Sequence, residues 1–132
     1  MRRCGVGLFV AYYRRALPRF VTVKELLDSG RIGQPRLVSI RNEGPAPVGE
    51  ADRGWRVDPL ISGGGHFVDL GSHTLDLLDW LLGPVTHTVG IATNRGGHYP
   101  AEDLVTGVFS FRFRCRRCRC LELRLVPTRR SG

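Results

Sequence analysis

The chain has 132 residues, enough for one domain that buries most of a modest core. Its hydrophobic fraction of 42% and charged fraction of 24% are ordinary for a soluble globular protein, and no apolar run reaches the roughly 18 residues of a membrane span. The formal charge is +8, but residues 1–111 carry a net +1 and residues 112–132 a net +7, so the basic character belongs to a tail, which argues against a whole-domain nucleic-acid surface.

Taken in order, Leu8-Phe9-Val10-Ala11 is too short for a signal-peptide core, and Tyr12-Tyr13-Arg14-Arg15 replaces any cleavage site, so a cytoplasmic location is expected. Residues 8–13 form an apolar, aromatic run that suits a strand buried on both faces of a parallel sheet. Pro18 suits a first helical turn, Phe20, Val23, Leu26 and Leu27 follow at helical spacing, and Gly30 stops the helix. Residues 36–41 alternate and predict a half-buried strand, giving strand, helix, strand. Residues 42–62 read as a loop rich in proline and glycine, with Trp55-Arg56-Val57-Asp58-Pro59 its one bulky segment.

The strongest helix is predicted over residues 66–82, closed by Gly83-Pro84. At about 100° per residue Leu70, Leu77, Leu78 and Leu81 share a core-facing stripe, while Asp69, His73, Asp76 and Trp80 share a narrower one. Gly71 marks close packing against a neighbour. Residues 86–92 and 104–111 read as neighbouring antiparallel strands around an Asn94-Arg95-Gly96-Gly97 turn.

Asp69 and His73 are the first candidates for chemistry: four positions apart on a helix, they can reach one substrate atom or each other. An imidazole exchanges protons near neutral pH, and a carboxylate beside it can orient the ring or accept a hydrogen bond from a hydroxyl. Asp76 can support His73 from one turn further on. Gly63, Gly64 and Gly65 would admit another molecule close to the backbone at the helix N-terminus. A plain solvated polar face remains the competing reading. Asp69, His73 and Asp76 match no metal motif with a known mechanism.

The stretch Trp55-Arg56-Val57-Asp58-Pro59, then Gly63-Gly64-Gly65-His66-Phe67-Val68-Asp69, His73-x-x-Asp76 and Leu81-x-Gly83-Pro84, resembles the glucose–fructose oxidoreductase / inositol dehydrogenase / MocA-type family. Val10-Ala11-Tyr12-Tyr13-Arg14-Arg15 and the segment from Lys24 to Gly33 resemble that family's last cofactor-domain strand, helix and crossover, so the likeness covers about residues 5–111. It implies a Rossmann domain for NAD or NADP followed by an α/β substrate domain with a mostly antiparallel open sheet. It also implies hydride transfer between the nicotinamide and a sugar or polyol carbon bearing a hydroxyl or carbonyl. By the same likeness His73 exchanges the hydroxyl proton, Asp69 binds or orients the substrate, and Tyr13, Arg14, Trp55, Arg56, Gly64, Gly65 and Asp76 line the cleft.

Three features depart from the family. Gly5-Val6-Gly7 leads into strand residues rather than a helix, so the dinucleotide fingerprint is missing. The family's Glu-Lys-Pro motif has no counterpart, Lys24 being the only lysine. After Phe111 the sequence turns Arg/Cys-rich. Cys115-x-x-Cys118 lacks the second ligand pair a structural zinc needs, Cys120 being too close and Cys4 distant. The expected organisation is therefore a cofactor-domain remnant over 1–34, a partial substrate domain over 35–111, and a disordered or frame-shifted tail over 112–132. The expected function is a fragment of a nicotinamide-dependent oxidoreductase, inactive by itself, with a sugar or polyol substrate and a homo-oligomer through the open sheet. The alternatives are a non-catalytic sugar- or partner-binding remnant and an Arg-rich nucleic-acid binder; the reading favours neither nucleic acid nor membrane as partner.

Overall fold

The computed structural model describes residues 7, 9–45, 54–113 and 121–124. Helix α1 spans Pro18–Asp28, with Pro18 in its first turn, where the missing N–H leaves no bond unmade. Gly30 follows at φ 72, past the helix end. A single helical turn, α2 (Pro59–Ser62), breaks the loop expected over 42–62: Asp58 accepts from the Leu60 N–H at 2.9 Å, and Pro59 brings its own φ preset for the first helical position. A 3-10 turn at Trp55–Val57 precedes it and buries Val57.

The predicted long helix is present with an irregular start. Residues Phe67–Gly71 form a π turn, and α3 continues over Ser72–Leu82, ending at Gly83 with φ 88, a conformation in which a side chain would be strained. The π turn places one extra residue in its ring of hydrogen bonds, so residues within and before it rotate away from the α-helical stripe. Leu70, expected in the core, is accordingly 41% exposed, and Leu82 is buried with Leu77, Leu78 and Leu81. Gly71 does mark a close approach: a Cβ there would meet the Phe67 ring at 2.7 Å. Trp80, expected on the polar stripe, packs against the core.

Among the described residues, two predicted strands do not form a ladder. Residues 9–12 have no ladder among the described residues, only a tight Tyr12 N–H to Val10 carbonyl bond of 2.9 Å, and Phe9 and Val10 are exposed. Residues 36–41 contain an isolated bridge at Leu37, although Val38 does pack on the core. A strand is defined by its partner, and among the described residues neither segment has one that completes a ladder.

The sheet is antiparallel, in order β1-β2-β3, with β1 at Val85–Thr93, β2 at Leu104–Phe113 and β3 at Leu121–Arg124. The first two are the predicted pair. The third lies within the segment expected to be a disordered or frame-shifted tail. They pair with Ser110–Phe113 of β2. Cys115, Cys118 and Cys120 lie outside the described residues, as does Cys4.

The core joins Leu27 of α1, four leucines of α3 and Phe111 of β2, with Phe20, Val38, Trp80 and Phe109 against its edge. Burial of each such side chain contributes roughly 1.5–3 kcal/mol. This fixes α3 between α1 and one face of the sheet. The opposite face is closed at Ser110, 3% exposed, but open further along: Val89 pairs with Val108 and Ile91 with Thr106, and Val89 and Ile91 remain 62% and 64% exposed. Among the described residues no helix is long and apolar enough to cross a membrane.

Candidate functional site

The site lies where the 3-10 turn Tyr13–Ala16 crosses the start of α3. His73, in the first turn of α3, meets Tyr12 edge-on at 5.3 Å between ring centroids and Tyr13 at 6.0 Å with a 60° tilt. Of its two ring nitrogens, only Nδ1 is sealed from solvent without a hydrogen-bond partner. A buried polar atom left unpaired costs about 1–3 kcal/mol.

Asp69 sits in the π turn, and Arg56 Nε donates to its Oδ2 at 2.8 Å. The Arg56 guanidinium stacks 4.6 Å over the Trp55 ring. Trp55, Arg56 and Asp69, predicted separately, are thus brought into one chain of contacts. Asp69 and His73 are not bonded to each other among the described residues: the carboxylate turns to Arg56 and the imidazole to the tyrosines.

Asp76 does not support His73. Its carboxylate is held by Arg15, with Nε donating to Oδ2 at 2.8 Å and Nη2 to Oδ1 and to the Asp76 carbonyl. That bond, with the nearby charges of Asp76 and Asp79, holds the Arg15 pKa above its ordinary value against a partial desolvation. Arg14 reaches Thr74 Oγ1 at 3.4 Å. An open depression of about 410 Å³ runs beside this pair, lined by Tyr12, Arg15, Ser72, Asp76 and Asp79 among others; His73 and Asp69 are not part of its lining.

The glycine segment corrects the sequence reading. Gly64 and Gly65, expected to lie open to a ligand, are buried, while Gly63 is exposed. A Cβ on Gly64 would strike the Val68 side chain, and one on Gly65 the Glu102 carbonyl. The Gly65 N–H donates to Glu102 Oε1 at 2.7 Å, so the anion at this helix start is a side chain of the protein. Glu102 is the residue the sequence did not reveal; it comes from the β1–β2 connection, 37 positions away.

That connection is itself ordered by side chains. Asn94 Nδ2 donates to the carbonyls of Tyr99 and Ala101, and Asp103 accepts from the Arg95 and Gly96 N–H groups at 2.8 and 2.5 Å. Those backbone donors hold the Asp103 carboxyl below its ordinary pKa. Burial, followed by the charges of Asp103 and Glu102, pushes the Tyr99 phenol up. Its ring stands edge-on to His66 at 6.0 Å.

Known proteins carry the same arrangement of segments. The GFO/IDH/MocA C-terminal domain family matches over residues 20–115. An oxidoreductase of Formosa agariphila is 38% identical over 64% of this chain and 27% of its own length. Inositol 2-dehydrogenase of Rhizobium meliloti is 36% identical over 64% of this chain and 24% of its own. Among solved structures, an oxidoreductase of Thermotoga maritima superposes with a TM-score of 0.63 at 22% identity, covering 89% of this chain and 36% of that one. GenD2 of gentamicin A biosynthesis, solved in complex with NAD, gives 0.57 at 22% identity over 89% and 32%. The matched part of this chain spans about a quarter of the length of these curated relatives. By sequence and by fold, the chain belongs to the GFO/IDH/MocA C-terminal domain family.

Proposed function

We propose that the chain is the substrate-side part of an NAD(P)-dependent oxidoreductase that interconverts a hydroxyl and a carbonyl on a sugar or polyol. In this reading residues 1–34 derive from the cofactor domain and the substrate domain begins at 35. The observation that carries it is His73: a half-buried imidazole fixed between α3 and the Tyr12–Tyr13 segment, with one nitrogen sealed and unpartnered. Its other nitrogen, Nε2, takes the hydroxyl proton as the carbonyl forms and returns it in the reverse direction. Asp69 binds and orients the substrate hydroxyls, its own position set by Arg56. Trp55 offers an apolar ring for the sugar face, while Tyr13 and Arg14 flank the imidazole.

The described residues do not fit the pyrophosphate of a dinucleotide. The helix start with the glycine-rich approach has its Gly65 N–H taken by Glu102, whose negative charge repels phosphate. The 132 residues alone are therefore expected to be inactive, with NAD or NADP bound by residues other than those described. The names of the relatives, an inositol 2-dehydrogenase among them, support a polyol substrate. The uncovered Val89–Ile91 face of the sheet supports a homo-oligomer formed through it; a cytoplasmic location completes the proposal.

The test is a titration of the isotope-labelled chain with myo-inositol and a panel of hexoses, followed by NMR. Shifts centred on Arg56, Asp69 and His73, and lost in Asp69→Asn, are expected. Shifts confined to other residues, or none with any compound, contradict the assignment. The non-catalytic alternative predicts the same binding but no activity once a cofactor-binding half is joined to the chain.

A further inference from the structure

We infer that Arg15 is a positioning residue, which sets the register in which Tyr12 and Tyr13 close over His73. The inference rests on the proton-transfer reading for its purpose and on contacts alone for its geometry. Three contacts tie the Tyr13–Ala16 turn to α3, of which the Arg14 Nη1 to Thr74 Oγ1 bond, at 3.4 Å, is long and single. The tyrosine rings lie on His73, and the Arg15 guanidinium lies on Asp76. Arg15 is two and three positions beyond the tyrosines, and Asp76 is three beyond His73, so both pairs follow in the same order along one face of the helix.

The rings do not hold themselves there. Neither tyrosine side chain makes a hydrogen bond among the described residues, and Tyr13 is exposed. Their place depends on the backbone that carries them, and the strongest bond from that backbone segment to α3 is the Arg15 fork. Nε and Nη2 engage the two oxygens of a carboxylate that is only 9% exposed, Nη2 also reaches the Asp76 carbonyl at 3.1 Å, and Asp79 lies 4.0 Å away. A planar, bidentate fork fixes direction as well as distance; a point charge fixes only distance. With the rings set by that fork, Nδ1 is closed and exchange at the imidazole is left to Nε2.

The experiment reads ring-to-ring NOEs from Tyr12 and Tyr13 to His73 in the 132-residue chain, with NOEs among the core leucines and Phe111 as the control for folding. The wild-type chain is expected to show both sets. R15Q is expected to lose the ring NOEs and keep the core ones. R15K, which retains the charge without the fork, is the second variant and is expected to do the same. Ring NOEs that persist at wild-type strength in R15K overturn the proposal, and so does their loss only together with the core set in both variants. Because contact is measured and not turnover, that failure leaves proton transfer at His73 standing. An active His73→Ala enzyme would instead remove proton transfer and leave the contact role of Arg15 intact.

Discussion

Phe111→Ala tests whether α3, and with it His73, is held by the packing described. Phe111 is fully buried, in the one cluster that joins α1, α3 and β2. Truncating a buried phenylalanine to alanine costs about 3–5 kcal/mol, the sum of lost transfer energy and the cavity left behind. Against a domain stability of about 5–15 kcal/mol, that raises the unfolded fraction by a factor of about 100 or more. Urea unfolding followed by circular dichroism should move its midpoint down by about 1–5 M if the slope is unchanged. Val89→Thr is the paired control: it pairs across the sheet with Val108 but lies on the open face, so a change within about 0.5 kcal/mol is expected. A Phe111→Ala loss below about 1 kcal/mol, or a Val89→Thr loss of equal size, would refute the assignment of which face of the sheet is the core.

Other outcomes follow from single contacts. Gly65→Ala forces a methyl against the Glu102 carbonyl and should lower stability by about 1–3 kcal/mol in thermal unfolding. Arg56→Ala removes a largely exposed ion pair, so stability should fall by less than about 1 kcal/mol while myo-inositol binding weakens in the NMR titration. Asp103 has its folded pKa held below the unfolded one by the Arg95 and Gly96 N–H groups. Its contribution is therefore present above the ordinary aspartate range and lost as pH falls through the lowered folded value. Amide exchange at Arg95 and Gly96 should show protection that fades in that acidic window, and Asp103→Asn should remove the pH dependence.

Much of the scaffold was legible because local signals govern it. Pro18 and Gly30 bracket α1, Gly83 ends α3, and the Asn94-Arg95-Gly96-Gly97 turn separates β1 from β2. The misreadings share a cause in contacts made across the chain. Residues 8–13 and 36–41 have strand composition, but composition cannot supply a ladder partner. Leu70 left the core stripe because an α-helical period was projected through a π turn. In the site, the types and order of Trp55, Arg56, Asp69 and His73 were readable, but their pairing was not. Asp69 faces an arginine 13 positions back, and Asp76 an arginine 61 positions back. The glycines preceding α3 looked open to a ligand because no local feature announces that Glu102, on the far side of β1, occupies that place.

The most direct measurement is turnover by a complete enzyme in which residues 10–113 replace the matching segment of the Rhizobium meliloti inositol 2-dehydrogenase, compared with its His73→Ala form. Loss of the imidazole should lower kcat by about 10²–10⁴-fold with the fold preserved by circular dichroism. Undiminished turnover by the His73→Ala enzyme would show that this ring carries no proton in the reaction.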